Sequence, residues 1–380
     1  MHKITIYNLG NADTSRIDLS NGRKVLIDYA DMRCDSDPKD KRVDLPVELR
    51  ADLKNANRDY YDVVAFTHLD EDHTCGASSF FELLHAEKYQ GGNRIKIKEL
   101  WVPAAVLLEQ GCEDETRILR QEARYRLKNG KGIRVFSSPG LMDNWLSEQG
   151  IEKSDIAHLI TDAGNIAPGF DLGADGVEFF IHSPFASRTS DNQLLNRNSD
   201  ALTFQATFQE GGQITRMHFF SDIDYEVIKL IVQVTEYYAK SDPSRFDRLK
   251  WDLFKIAHHC SYKSLSLDKG KDKTVPDPDV KKLFETYGEN RSRMISTSWP
   301  IPNDDDDKQP PHRQAANYYK EQAKNMNGQF LVTMEEPNIL HPEPIVIKID
   351  RFGASVGKAV TSGSAAAVNS PAPRAGKTIS

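Results

Sequence analysis

The sequence predicts an α/β protein built as a four-layer αββα sandwich with helical insertions. Two strand-rich halves are separated and flanked by helical segments, and apolar strands repeatedly end in Asp or His. The first 75 residues read as strands joined by turns, at 4–7, 15–19 and 24–29, with Asn21-Gly22 as the hairpin signal between the last two. Tyr61-Asp62-Val63-Val64-Ala65-Phe66 is a short apolar run of the buried-strand kind, and it leads directly into Thr67-His68-Leu69-Asp70-Glu71-Asp72-His73. Helical spacing is expected over 78–89, a strand over 95–102, a charged helix over 113–128 and a strand over 133–136. Segment 139–165 places Leu141, Trp145, Leu146, Ile151, Ile156 and Leu159 at helical spacing and reads as a helical insertion.

In the second half, strands are expected at 177–182, 201–208 and 215–220, with Gly211-Gly212 turning the chain between the last two. A helix follows at 225–240, then strands at 251–257 and 294–298, a helix at 313–324 and strands at 330–333 and 344–349. From residue 351 onward the chain carries Arg351, Lys358, Arg374 and Lys377, no acidic residue, and mostly small side chains. Segment 351–380 therefore reads as a flexible, basic, low-complexity tail.

Composition narrows the class. A hydrophobic share of 39% and a charged share of 28% in 380 residues exclude collagenous, disordered and disulfide-scaffold proteins. With 49 Lys+Arg against 56 Asp+Glu, the formal charge of −7 argues against non-specific coating of nucleic acid. Cys34, Cys75, Cys112 and Cys260 form no CxxC pair, so a reducing compartment is the default, and Cys260 reads as a small buried thiol. The N-terminus passes straight into alternating residues without a secretory leader, and no apolar run approaches about 20 residues. A cytoplasmic protein without membrane segments is expected.

The chemistry concentrates at strand ends. His68, Asp70, Asp72 and His73 offer two imidazoles and two carboxylates on a tight turn, a donor set suited to a divalent ion. Ser221-Asp222 and His258-His259 close two further apolar strands, and Asp28 closes the strand 24–29. This arrangement resembles the metallo-β-lactamase superfamily, whose first metal segment reads His-x-His-x-Asp-His and here stands as His68-x-Asp70-x-Asp72-His73. The Asp variant, Gly76 and the later His-His-x-Ser are most similar to the metallo-hydrolase domain of the bacterial DNA-uptake channel protein and its soluble relatives. The likeness covers residues 1–350 as one hydrolase domain and includes Asn8-Leu9-Gly10-Asn11-Ala12-Asp13, Asn196-Arg197-Asn198-Ser199 and Pro311-His312.

The resemblance implies two divalent metal ions, zinc or manganese. His68 and Asp70 would hold one, Asp72 and His73 the other, Asp222 would bridge them and His258 would ligate the second. Asp28 would buttress the metal loop. The sequence leaves open which of His258 and His259 is the ligand, the other being substrate-facing or supporting. It places no His near 196–199 where the superfamily has one; His182 and His218 are read first as structural residues.

The implied activity is phosphodiester hydrolysis, as a phosphodiesterase or nuclease, by a metal-activated hydroxide oriented by Asp72. His259 and His312 are the further catalytic candidates and nucleic acid is the leading substrate class. The alternatives are hydrolysis of a small ester, lactone or thioester, or a catalytically weak binding subunit. The basic residues between Arg117 and Arg134 could face a phosphate backbone or form a solvated helix face, and Asp304–Asp307 read as a solvated acidic loop.

Overall fold

A computed structural model describes residues 1–184, 197–305 and 308–357. Its strands run β1 (His2–Ile6), β2 (Ser15–Asp18), β3 (Lys24–Ile27), β4 (Tyr60–Ala65), β5 (Lys96–Pro103), β6 (Ile133–Ser137) and β7 (Ile160–Asp162). These are followed by β8 (Val177–Ser183), β9 (Thr203–Glu210), β10 (Gln213–Phe219), β11 (Trp251–Lys255), β12 (Gly288–Ser296), β13 (Gln329–Val332), β14 (Ile345–Asp350) and β15 (Gly353–Gly357). They pair into a nine-stranded sheet, β15-β14-β1-β2-β3-β4-β5-β6-β7, and a six-stranded sheet, β13-β12-β11-β10-β9-β8.

Three apolar layers show how these sheets stack. Ile4, Ile17, Val63 and Trp101 of the first sheet pack against Phe179, Phe204, Met217 and Leu253 of the second. The opposite face of the nine-stranded sheet buries Leu26, Val64 and Leu100 under Leu49, Leu53 and Leu119 from helices. The opposite face of the six-stranded sheet does the same with Phe254 and Met294 under Ile228, Leu283 and Tyr319. Helix, sheet, sheet, helix is the αββα order the sequence predicts.

Within each sheet the pairing changes from antiparallel to parallel. Strands β3 to β7 run parallel, as do β10 to β13. Parallel neighbours place their C-terminal ends on one edge, and loops leaving that edge are where an α/β fold gathers functional side chains.

Four local expectations change. Helical spacing over 78–89 yields only the α-helical turn Ala77–Phe80 and a separate 3-10 turn, Glu87–Tyr89, because Phe81 leaves the first to bridge Ile95, with Glu82 N donating to Ile95 O at 2.9 Å. The aromatic pair Phe80 and Phe81 packs on Tyr29 instead, at centroid distances of 4.7 and 5.3 Å. Segment 139–165 is not only helical: after Asp143–Glu148 and Lys153–Ile156 it supplies β7, which extends the large sheet beside β6. The tail expected from 351 does not start there, since Gly353–Gly357 forms an antiparallel edge strand on β14; backbone ladder bonds do not need large side chains. Residues 358–380 lie outside the described ones. Finally, the first 75 residues contain a helix, Leu45–Asn55, started by Asp44 accepting from Val47 N at 3.1 Å and burying Leu45, Leu49 and Leu53 on one face.

Candidate metal centre

The centre forms where the C-terminal ends of β3, β4, β10, β11 and β12 meet the loop that follows β1. After β4 the chain turns through Thr67-His68-Leu69-Asp70 into the single turn Glu71–Thr74, closed by His73 N donating to Asp70 O at 3.0 Å. That turn brings His68, Asp72 and His73 onto one side. Asp222 arrives from the end of β10 and His259 from the end of β11; the loop after β1 brings Asp13, whose N–H donates to Asp72 O at 2.9 Å.

Two overlapping groups of side chains offer ligand atoms within 4.8 Å of one another: Asp13, His73, Asp222 and His259, all buried, and His68, Asp72 and His73. His73 Nε2 lies 3.4 Å from Asp222 Oδ1 and 3.7 Å from Asp13 Oδ2. His259 Nε2 lies 3.1 Å from Asp72 Oδ2 and 3.3 Å from Asp222 Oδ2.

The other nitrogen of each ring is tied off. His73 Nδ1 donates to Asp28 Oδ2 at 2.9 Å, and His259 Nδ1 donates to the carbonyl of Thr297 at 2.7 Å. The hydroxyl of Ser221 donates to Thr67 Oγ1 at 2.8 Å, and that of Thr67 to Asp28 Oδ2 at 2.8 Å, which leaves Ser221 Oγ to accept from His68 Nδ1 at 3.1 Å. With Nδ1 the donor on each ring, each Nε2 faces the common space, where its lone pair would be free for a cation once any proton there is displaced. Among the described residues, His68 Nε2, His73 Nε2, Asp13 Oδ1 and Asp222 Oδ1 are buried without a hydrogen-bond partner.

Electrostatics agree with this donor set. Burial alone would lower the pKa of His259, yet Asp222 and Asp72 raise it to about 10. The space between those carboxylates thus holds a positive charge firmly, and a divalent cation would take the place of that proton. Asp222 is held well below the usual carboxylate range, against its burial, by His259 and His73. Two buried imidazole lone pairs, unpartnered carboxylate oxygens and this demand for positive charge fit a divalent cation.

Among the expected site residues, the structure brings together His68, Asp72, His73, Asp222 and His259. Asp28 lies behind them, receiving Thr67 N at 2.7 Å as well as His73. Asp70 sits at the rim, with one oxygen 3.5 Å from His68 Nε2 and the other 2.6 Å from Arg197, which also grips Glu109. His258 stands further off: its Nε2 is 4.0 Å from Asp222 and its Nδ1 3.7 Å from Asp224.

His312 is set against the turn after His259 and not in the cluster. Its N–H donates to Cys260 O at 3.1 Å and its Nδ1 accepts from Tyr262 N at 3.4 Å. Cys260 is buried in the outer apolar layer, where burial pushes its thiol up. His218 donates to Leu249 O at 3.2 Å, and the His182 ring lies tilted against it at a centroid distance of 5.1 Å; neither belongs to the cluster.

Two residues have no role in the sequence reading, although Asp13 ends the segment from Asn8 that carries the resemblance. Asp13 joins the cluster, and Lys255, the last residue of β11, is buried with its ammonium donating to Asp13 Oδ2 and to Phe220 O at 2.9 Å. A Lys in the run Phe254-Lys255-Ile256 is the one available signal, since a buried ammonium needs an anionic partner.

The basic stretch is mostly committed internally: Arg120 donates to Glu109 O, Arg124 to Leu107 O, Arg126 to Glu122, and Arg134 to Glu99. Asp305, from the acidic run, accepts from Arg313 and Gln314 at 2.9 Å each; Asp306 and Asp307 lie outside the described residues. None of the described helices is long and apolar enough to cross a membrane.

Fold and site together define an αββα sandwich whose edge carries a His/Asp cluster suited to divalent cations. No family profile matches the chain, and no characterised protein matches it by sequence. Among solved structures, it is similar to unliganded yeast PDE1, with a TM-score of 0.42 at 10% identity over 87% of this chain and 97% of that one. It is also similar to Zn(2+)-bound PqqB from Methylobacterium extorquens, with a TM-score of 0.34 at 10% identity over 87% and 97% of the two chains. A third likeness is to the metallo-β-lactamase SMB-1 bound to 2-mercaptoethanesulfonate, with a TM-score of 0.30 at 15% identity over 67% and 79%.

Proposed function

We propose that this chain is a metal-dependent hydrolase of the metallo-β-lactamase superfamily acting on a phosphodiester. The observation that carries this reading is the tying-off of three Nδ1 atoms, on His68, His73 and His259, which turns three Nε2 atoms toward Asp72, Asp222 and Asp13. Such a set has little structural use, because its unpartnered buried atoms cost stability unless a cation is bound.

His73, Asp222, His259 and Asp13 would hold one divalent ion; His68 and Asp72, with Asp70 at the rim, would hold the second. His259 thus takes the ligand place that the resemblance gives to His258. When bound, the cations supply Lewis acidity toward a phosphoryl oxygen and lower the pKa of water toward about 7. The chain's own residues do the rest. Asp72, half-buried, would accept a hydrogen bond from the attacking water and orient it. Asp28 keeps His73 in its Nδ1–H tautomer. Lys255 offsets part of the carboxylate charge from below. His312 holds the turn that aims His259 and acts on position, not on the reacting atoms.

The carboxylate-rich set favours hard cations, manganese as well as zinc, and a phosphodiester is the substrate whose transition state gains most from paired positive charge. Turnover of bis-p-nitrophenyl phosphate with manganese or zinc, abolished in Asp222→Asn and in His259→Ala, is the expected result. Turnover of lactones or thioesters alone would replace the phosphodiester reading with the small-ester one. Fewer than one divalent ion per chain after loading, with no turnover of any substrate, would leave only a binding role.

A further inference from the structure

Along the loops that follow β3 and β12 lies a cavity of about 370 Å³, within the range of about 300–1,000 Å³ typical of small-molecule sites. Its floor is apolar, with Trp299, Met334 and Ile339, and its rim carries the cations Lys39, Lys41 and Arg42 against the carboxylates Asp37 and Asp40, the latter paired with Arg42. Most of its lining extends segments that build the metal centre, while Met334 and Ile339 come from the chain that follows β13. The loop holding Lys39, Lys41 and Arg42 starts at Asp28, beneath His73, and is pinned to the metal loop by Tyr29 N donating to His73 O and Asp31 N to Cys75 O, each at 3.0 Å. Trp299 lies two residues past Thr297, whose carbonyl fixes His259. The loop that ends at Asp13 closes the third side, through Asn11 Oδ1 accepting from Trp299 N at 3.1 Å and Asn8 Nδ2 donating to Lys41 O at 3.3 Å.

The Trp299 side chain is held for use as a flat face. Gly10, at φ +73°, lets the indole lie so close that a Cβ there would stand 2.6 Å from Trp299 Cε2. With 40% of its surface exposed, Trp299 is unlike Trp101, Trp145 and Trp251, which are all buried. The Arg42 guanidinium lies 5.4 Å from its ring centroid, oriented by Asp40 through bonds of 2.6 and 3.0 Å. An exposed indole beside cationic side chains, next to a centre that takes phosphate, matches the stacking-plus-charge chemistry by which proteins hold nucleotide bases.

We propose that this cavity seats the base of a nucleotide phosphodiester, with Trp299 as the stacking face and Lys39, Lys41 and Arg42 flanking the sugar-phosphate. The proposal rests on the phosphodiesterase reading and narrows it to nucleotide substrates. A bare phosphate ester has no use for the indole floor, and an acyl chain has none for the cationic rim.

The test uses the full-length, manganese-loaded chain titrated with adenosine 5′-monophosphate and with ribose 5-phosphate, which lacks the base. Because the other tryptophans are buried, quenching of fluorescence reports on Trp299, and calorimetry measures affinity in the variants. The expected result is quenching by the nucleotide and at least tenfold weaker binding of ribose 5-phosphate. Trp299→Ala should lose about 5- to 150-fold in nucleotide affinity, the usual span for one stacked base, while Trp299→Phe stays within a few-fold of the parent chain. Equal binding of the two ligands, or no quenching at saturation, overturns the proposal, as does a Phe variant as weak as the Ala one. Should Trp299→Ala fail to fold, the parent-chain comparison and the Phe variant still decide. Hydrolysis is scored separately with bis-p-nitrophenyl phosphate: its cleavage without nucleotide binding removes the base site alone, and nucleotide binding without any cleavage removes the hydrolase reading alone.

Discussion

Replacing Asp28 by Asn removes one charge and one acceptor at the point where the metal loop is anchored. The buried carboxylate receives three donors: Thr67 N at 2.7 Å on Oδ1, and Thr67 Oγ1 at 2.8 Å and His73 Nδ1 at 2.9 Å on Oδ2. An amide has a single acceptor oxygen. If its NH2 takes the place of Oδ1, it faces the Thr67 N–H, which cannot accept; if it takes the place of Oδ2, it faces His73 Nδ1 and drives that ring to the other tautomer. The first arrangement loses one bond to a charged acceptor and weakens two more, about 2–4 kcal/mol in stability. The second withdraws the His73 lone pair from the centre.

Both arrangements predict a manganese affinity lower by about 10- to 100-fold, the usual effect of losing a partner behind a metal ligand. Urea unfolding without added metal measures the stability loss, and calorimetric titration with manganese measures the affinity. A variant with parental stability and parental manganese affinity would refute the role assigned to Asp28, and with it the argument that fixed tautomers aim the three Nε2 atoms.

Other perturbations separate the remaining parts. Lys255→Met leaves Asp13 and the Phe220 carbonyl buried without their cation and should cost about 3–5 kcal/mol in urea unfolding; a cost under 1 kcal/mol would mean that the pair is not buried as described. Saturating manganese should stabilise the chain by about 2.7 kcal/mol at a hundredfold excess over Kd, seen as a rise in unfolding temperature that Asp222→Asn lacks. Gly10→Ala forces a side chain into φ +73° and into the indole, so nucleotide affinity should fall with that of Trp299→Ala, and stability by about 1–2 kcal/mol.

Asp18 tests pH dependence away from the centre. Although burial raises its pKa, Arg16 and Lys24 bring it down to about 2, so its stabilisation is present above its unfolded value and is lost as pH falls from about 4 toward 2. The stability difference between the parent chain and Asp18→Asn should therefore shrink over that window, and a constant difference would contradict it.

The strands and the layers were legible because the signals are local. Val25-Leu26-Ile27, Val63-Val64-Ala65 and Phe219-Phe220 are continuous apolar runs, and each ends in a polar residue that the structure carries to the same edge. What was not legible depends on partners distant in sequence. Ser78 to Tyr89 has helical spacing, but Phe81 is captured by Ile95. Asp13 gains meaning only beside Lys255, and nothing local to either residue predicts the other.

The choice between His258 and His259 shows the limit most sharply. Alternation along β11 sends Lys255 inward to Asp13 and Phe254 outward into the helix-covered layer. Continued past the strand, alternation assigns no fixed face to the two histidines, because the backbone there is not extended. His258, His259 and Cys260 all adopt left-handed φ values of 52°, 50° and 65°. Each such residue costs about 1–2 kcal/mol without glycine, so a run of three persists only where its surroundings over-determine it. Three contacts fix it: Thr297 O holds His259 Nδ1, Cys260 packs into the outer apolar layer, and the Cys260 carbonyl receives His312 N. The twist they enforce points His259 between Asp72 and Asp222 and leaves His258 at the rim. Relaxing that turn, by Cys260→Gly, should spare the fold and ease the strain; if manganese affinity then falls, the turn's rigidity, and not merely the presence of two adjacent histidines, is what builds the centre.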